Sequence, residues 1–423
     1  FYGCWQPWYL VLIAISTLNS FYFGGLIGRS RNESTRKTLM ITSVSLDLIL
    51  LGIFKYGNFF LENIESIGPM MGAEWTLPRI ESELPVGISF YTFQSLSYTV
   101  DIYRKKLKPT DSLLDFATFV FFFPQLVAGP IVRARHFLPQ LELRPRMDAR
   151  AFGEGIFLIL AGLCKKMIIA DLLYTSIVQR YFESPSSHNG AETLIAVWAA
   201  NFQVYCDFSG YSDVAIGAAL MFGFALPKNF DRPFISRSPM EHWRRWHISL
   251  SLFLRDYLYI PMGGSRHGEW RTTMALVLTF LLGGLWHGAG WTFVVWGFYN
   301  GILLVVWRKW GPKPAKTWWG IGLQIILTFH AICVGLIFLH AQSFSDAWDA
   351  FMSFGRWGLP SSEALPLRGM LALAAGIALH TTPTSWKERL LHAFGEASPW
   401  SLACMIVLAG GVLSLFAGIT KPF

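Results

Sequence analysis

The chain has 423 residues, of which 53% are hydrophobic and only 15% charged, and its 35 Lys and Arg against 27 Asp and Glu give a net charge of +8. A soluble domain carries roughly 25% charged residues, so this shortfall, with a mean hydropathy of +0.40, excludes an ordinary soluble protein and points to a membrane. The five cysteines, Cys4, Cys164, Cys206, Cys333 and Cys404, show no pair at metal-ligand or redox spacing, so neither a metal site nor a disulfide framework is expected.

Apolar runs that reach or approach the length needed to cross a bilayer, about 20 residues, recur along the chain. They fall at 8–28, 39–54, 84–100, 116–132, 156–170, 194–205, 273–307, 318–339, 370–380 and 400–419. With 273–307 counted as two crossings, these runs predict an all-α integral membrane protein of roughly ten to thirteen membrane segments. Asp47, Lys165, Lys166, Asp207 and Asp213 lie in these runs or their continuations, so those parts are expected inside the protein or re-entrant rather than facing lipid. Polar stretches are loop-sized, which predicts one membrane domain over 1–423. The first residue is Phe1, and the chain is read as lacking its true N-terminus.

Basic residues cluster between the apolar runs: Arg29, Arg31, Arg36 and Lys37; Arg104, Lys105, Lys106 and Lys108; Arg133, Arg135, Arg144, Arg146 and Arg150; Arg308, Lys309, Lys313 and Lys316. The positive-inside rule makes these loops candidates for the cytoplasmic side. Such short clusters bounded by spans argue against a nucleic-acid surface; an anionic donor or an acidic carrier protein is the functional alternative to plain topology.

The middle of the chain, 201–264, is too polar for spanning helices and too aromatic for exposed loops, which predicts short oblique helices packed inside the protein. Within it, helical spacing sets Trp243, Arg244, His247 and Ser251 on one face at i, i+1, i+4 and i+8. A cation on that face would disfavour the His247 imidazolium or would grip an anionic group. His287 lies within 274–307, a stretch without a charged residue, and is flanked by Gly283, Gly284, Gly288 and Gly290. The glycines allow a break or a close approach of backbones, so His287 is expected at a helix end or kink lining a cavity. Ionisable groups at such depth mark function by default.

The other histidines read differently. His188, His267 and His392 lie in polar loops, and His136 follows Arg133 and Arg135. His330, His340 and His380 sit on or at the ends of apolar segments, where capping or core roles are expected. His242, five residues before His247, is turned away from its face.

The segment 243–251, the run Leu254-Arg255-Asp256-Tyr257-Leu258-Tyr259-Ile260-Pro261 with Gly263-Gly264, and Leu285-Trp286-His287-Gly288-Ala289-Gly290-Trp291-Thr292 together resemble the membrane-bound O-acyltransferase family, within it the bacterial branch that acylates extracellular polymers such as alginate. Pro85-Val86-Gly87-Ile88-Ser89-Phe90-Tyr91-Thr92-Phe93-Gln94 and Phe123-Pro124-Gln125-Leu126-Val127-Ala128-Gly129-Pro130-Ile131 extend the resemblance upstream, so that it is strong over 84–301 and looser in the flanks. It implies a multi-helix fold with a thin central layer and a central cavity, placed in the bacterial inner membrane. By resemblance, His287 occupies the family's catalytic histidine position and His247 the second histidine of this branch. In Trp296-Gly297-Phe298-Tyr299-Asn300-Gly301 relatives often carry histidine where this chain has Asn300, whose amide is restricted to hydrogen bonding.

The resemblance implies acyl transfer from a cytoplasmic thioester, acetyl-CoA above all, to a polysaccharide such as alginate or cellulose. D-alanyl transfer from a carrier protein to teichoic acid is the alternative within the family. Implied partners are membrane lipid, the acyl donor, and a periplasmic acetyltransferase or polysaccharide-synthesis proteins; no nucleic acid and no metal are expected. In this scheme His287 acts as general base on the acceptor hydroxyl and His247 orients the donor or donates to the oxyanion. Trp243, Trp246 and Trp286 wall the site and, with Arg244, Ser251 and Asn300, bind substrate. Two other classes compete: a proton-coupled transporter using both histidines as a relay, and a non-catalytic scaffold.

Overall fold

A computed structural model describes residues 2–4, 6–73, 75–81, 83–126, 129–143 and 145–417. Val127 and Ala128 of the upstream motif, Arg144 of a basic cluster, and 418–423 lie outside the described residues. Every regular element among the described residues is helical, as an all-α membrane protein requires. Among the described residues, three helices are long and apolar enough to cross a membrane, Tyr9–Arg29, Glu33–Met71 and Trp318–His340, and Leu367–Thr381 and Pro399–Ser414 are shorter apolar helices. The chain forms two compact units, Phe1–Arg146 and Met147–Phe423.

In the first unit, Tyr9–Arg29, Glu33–Leu51 and Ile88–Tyr103 pack on one another. Gly24 makes this possible, since a Cβ there would stand 2.5 Å from the Tyr98 ring. Asp47 is buried, as its place in an apolar run predicts, and accepts hydrogen bonds from Ser16 (2.9 Å) and Ser20 (3.1 Å). Arg36 departs from the loop reading of its cluster. It is buried and donates to the carbonyls of Ile27 (2.7 Å), Ile102 (3.0 Å) and Tyr103 (2.9 Å). It thereby satisfies carbonyls in the last turns of two helices, where intrahelical partners run out.

In the second unit, the 32-residue helix Gly190–Met221 crosses Ala149–Leu163 on paired glycines. A Cβ at Gly155 would meet the Gly217 carbonyl at 2.7 Å, and one at Gly162 the Gly210 carbonyl at 2.5 Å. This small-residue contact brings two backbones together in the way membrane helices associate. The cations that follow, Lys165 and Lys166, then fall against acids of the long helix or near it. Lys165 pairs with Asp213, and Lys166 with Asp207 (2.8 Å) and Asp171 (2.7 Å). The run 273–307 divides as expected into Gly268–His287 and Trp291–Trp310, two helices packed side by side.

Candidate active site

The glycines around His287 do two separate jobs. Gly284 and Gly297 set the spacing of the hairpin, because a Cβ at Gly284 would lie 2.3 Å from the Phe293 carbonyl and one at Gly297 2.4 Å from the Phe280 carbonyl. Gly288 and Gly290 then carry extended backbone between the helices, with φ −165° and −167°. His287 is the last residue of its helix, as its glycine frame predicts. The close hairpin lays Trp296 against it, ring centroids 4.8 Å apart at 78°. His287 and Trp296 line a largely apolar cavity of about 560 Å³ together with Trp243, Arg244 and Ser251.

His247 is placed by different means. The single helix expected through 243–251 does not form: Pro239–Arg245 ends, Trp246 is extended, His247 adopts φ 42° and ψ 55°, and Ile248–Leu254 begins anew. A left-handed non-glycine residue costs roughly 1–2 kcal/mol and persists only where its surroundings over-determine it. Here they do. Ile248 N donates to the Asn229 carbonyl (2.9 Å) and Asp231 N to the Arg245 carbonyl (2.8 Å), so the 229–231 strip of chain clamps the break. The consequence corrects the helical-face reading. Trp243, Arg244 and Ser251 line the His287 cavity, but His247 is turned out of it and is 1% exposed.

The His247 ring is packed edge-on to Phe208 (4.6 Å, 89°) and tilted on Trp286 (5.9 Å), while its Nδ1 lies 3.2 Å from Asn229 Oδ1. Asn229 in turn lines a second cavity, of about 410 Å³, with Ser212, Lys165, Asp213 and Lys387. Asp213 accepts from both lysines there, Lys387 at 3.3 Å. A string of contacts, Asn229–His247–Trp286–His287, therefore joins one cavity wall to the other. The two imidazoles interact electrostatically. Burial weighs most against a charge on the His247 ring, with the neighbouring His287 second, and the break at Trp246 ends the helical face that Arg244 was expected to share with it.

Of the remaining predicted substrate-binding residues, three line neither of these two cavities. Trp246 belongs to an aromatic stack, on His242 (5.7 Å, 16°) and against Phe230 (5.2 Å, 85°). Its extended backbone turns it away from Trp243, into the core. Trp286 is 9% exposed and separates the two histidines. Asn300 is buried and donates to the Trp296 carbonyl one turn back (2.8 Å), which supports the helix beneath His287. His242 is buried with Nδ1 3.2 Å from the Pro233 carbonyl, and His380 Nε2 accepts from Phe234 N (3.0 Å); both are core groups, the role expected of His380. Asn229 and Trp296 were missed as site residues. An asparagine in polar-aromatic sequence and a tryptophan in an aromatic-rich apolar run carry no distinguishing pattern, and only tertiary contact reveals them.

The family model for membrane-bound O-acyltransferases matches residues 104–326. The chain belongs to the membrane-bound O-acyltransferase family. It is 40% identical to a probable alginate O-acetylase of Pseudomonas aeruginosa over 88% of this chain and 71% of that protein. It is 34% identical to a peptidoglycan O-acetyltransferase of Helicobacter pylori over 96% of this chain and 80% of the relative. A teichoic acid D-alanyltransferase of Bacillus subtilis is 29% identical over 61% of the chain and 69% of its own length. The protein is thus a membrane O-acyltransferase, and the transporter and scaffold classes fall away.

Proposed function

We propose that the protein O-acetylates a polysaccharide outside the cytoplasm, of the alginate or cellulose kind, drawing the acetyl group from a cytoplasmic thioester such as acetyl-CoA. The observation that carries this reading is His287, ending a helix at the wall of a 560 Å³ cavity in a chain most similar, among the relatives described, to O-acetylating ones. The general base removes the acceptor hydroxyl proton as that oxygen attacks the thioester carbonyl. The tetrahedral intermediate collapses with cleavage of the C–S bond, and the departing thiolate takes the proton back, giving ester and free thiol. The apolar walls, Trp243 and Trp296 among them, exclude the water that would hydrolyse the thioester.

Two cavities joined through one buried histidine support a donor and an acceptor meeting across a thin layer of protein. The second cavity, with four cations (Lys165, Lys228, Arg232, Lys387) against two carboxylates (Asp213, Asp231) in its lining, suits the anionic body of coenzyme A. The setting is a multi-pass protein of a bacterial inner membrane, working with a periplasmic acetyltransferase or polysaccharide-synthesis proteins. The second reading, D-alanyl transfer from an acidic carrier, has the teichoic-acid relative behind it.

The test is direct. Purified protein in detergent, given acetyl-CoA and mannuronate oligosaccharides, is expected to release thiol and form acetyl ester, and His287→Ala to abolish both while eluting as a monodisperse peak. Turnover of a D-alanyl carrier thioester with no turnover of acetyl-CoA would select the second reading. No turnover of either with any polysaccharide or teichoic acid would sink both.

A further inference from the structure

Asn229 is the group on which the geometry of His247 converges. Its Oδ1 accepts from Ser249 N (3.2 Å) and Ser249 Oγ (2.9 Å), and its Nδ2 donates to Ser212 Oγ (3.1 Å). A backbone N–H can only donate, so the atom facing Ser249 N must be the amide oxygen, and the orientation of the amide is fixed by chemistry rather than by choice. The same oxygen stands 3.2 Å from His247 Nδ1. Two lone pairs facing each other at that distance would repel; an N–H there makes a hydrogen bond. His247 Nδ1 therefore carries the hydrogen, and Nε2 is left with its lone pair. Among the described residues, Nε2 is buried and has no hydrogen-bond partner, an arrangement that is costly in a core and calls for a reason.

We propose that Asn229 is a positioning residue that holds His247 as the Nδ1–H tautomer, so that Nε2 is the proton-accepting atom of its ring. The proposal rests on the reading that the two histidines carry acyl transfer. It alters the role of His247 within it. A neutral imidazole held this way accepts at Nε2 and cannot donate there, so His247 serves as an acceptor and the oxyanion is stabilised by other groups. Phe208, Phe230 and Trp286 pack against the ring, and His287 follows beyond Trp286. Asn229 also lines the second cavity, which puts the anchor of the tautomer within reach of whatever occupies that space.

The test uses ¹⁵N-histidine-labelled protein in nanodiscs, with the His247 resonances assigned by their loss in His247→Gln. The wild type is expected to show a protonated Nδ1 and a bare Nε2, and Asn229→Leu to lose that preference. Turnover with acetyl-CoA and mannuronate oligosaccharides is expected to fall on the order of 10²-fold in Asn229→Leu, in kcat rather than KM. Asn229→Asp keeps the acceptor and adds a charge that favours the imidazolium. A base so raised is protonated over more of the acid range, so the acid limb of kcat/KM moves to higher pH, by about one unit or more, a displacement that a merely structural asparagine would not produce. A wild-type His247 with a bare Nδ1 overturns the proposal outright, even if Asn229→Leu fails to fold. Unchanged kcat in a folded Asn229→Leu, or an unmoved acid limb in Asn229→Asp, overturns it as well. Full activity in His247→Gln beside the expected tautomer overturns the parent reading of His247 instead, so the two failures are distinguishable.

Discussion

The two histidines of the site are held by opposite strategies. His287 stands at the end of an apolar helix whose position is set by steric contact, glycine against carbonyl at Gly284 and Gly297, and its ring meets a cavity. His247 stands in a break between two short helices, is held by hydrogen bonds and aromatic rings, and is sealed from both cavities. Close packing delivers a group to a surface with tolerance set by atom size. Hydrogen bonding fixes the protonation pattern of a group that solvent never reaches. The difference teaches that equivalent residue types in similarly tryptophan-rich frames need not share a setting: one lines a cavity, the other is buried against Asn229.

Substitutions that separate the two strategies break or sharpen this contrast. His287→Ala should have the largest effect, a loss of about 10³- to 10⁴-fold in kcat with the detergent-solubilised melting temperature little changed; a rate within tenfold of the parent would remove His287 from the chemistry. His247→Gln should cost on the order of 10²-fold, and a melting shift with no kinetic change would make it a structural residue only. Gly284→Val should disturb His287 alone. The added side chain meets the Phe293 carbonyl, destabilises the hairpin by about 1–3 kcal/mol and lowers turnover with it, while the His247 tautomer signal stays as in the parent. Arg244→Gln lies on the cavity wall and should raise KM several-fold with kcat nearly kept, as expected for uniform binding; a fall in kcat instead would bring Arg244 into the transition state.

Much of this was legible beforehand because the signals are local. The absence of charge over 274–307 and the glycines about His287 forecast a break in apolar helix at a cavity, and the hairpin obeys. Asp47, Lys165, Lys166, Asp207 and Asp213 forecast interior or re-entrant placement, since no lipid-facing position accepts them, and they lie against hydrogen-bond and ion-pair partners. The 243–251 face failed for an equally physical reason. Periodicity assumes an unbroken helix, and tertiary hydrogen bonds from 229–231 override it at Trp246 and His247. Arg36 shows the same limit: a loop cation by position, it is a buried helix-end cap by contact.

Sequence alone determined that this protein is a helical membrane protein of the O-acyltransferase family, and that the family motifs run in order from 84 to 301, with His247 and His287 as the candidate site residues among them. Those properties follow from hydrophobicity and residue type, which each position carries with it. Only tertiary structure decided that His247 faces Asn229 rather than the His287 cavity, and that Trp246, Trp286 and Asn300 support the site from within the core. A ring's tautomer and the direction of a side chain depend on which donors and acceptors are brought within about 3 Å, and residues 18 apart, like Asn229 and His247, meet only when the chain has folded.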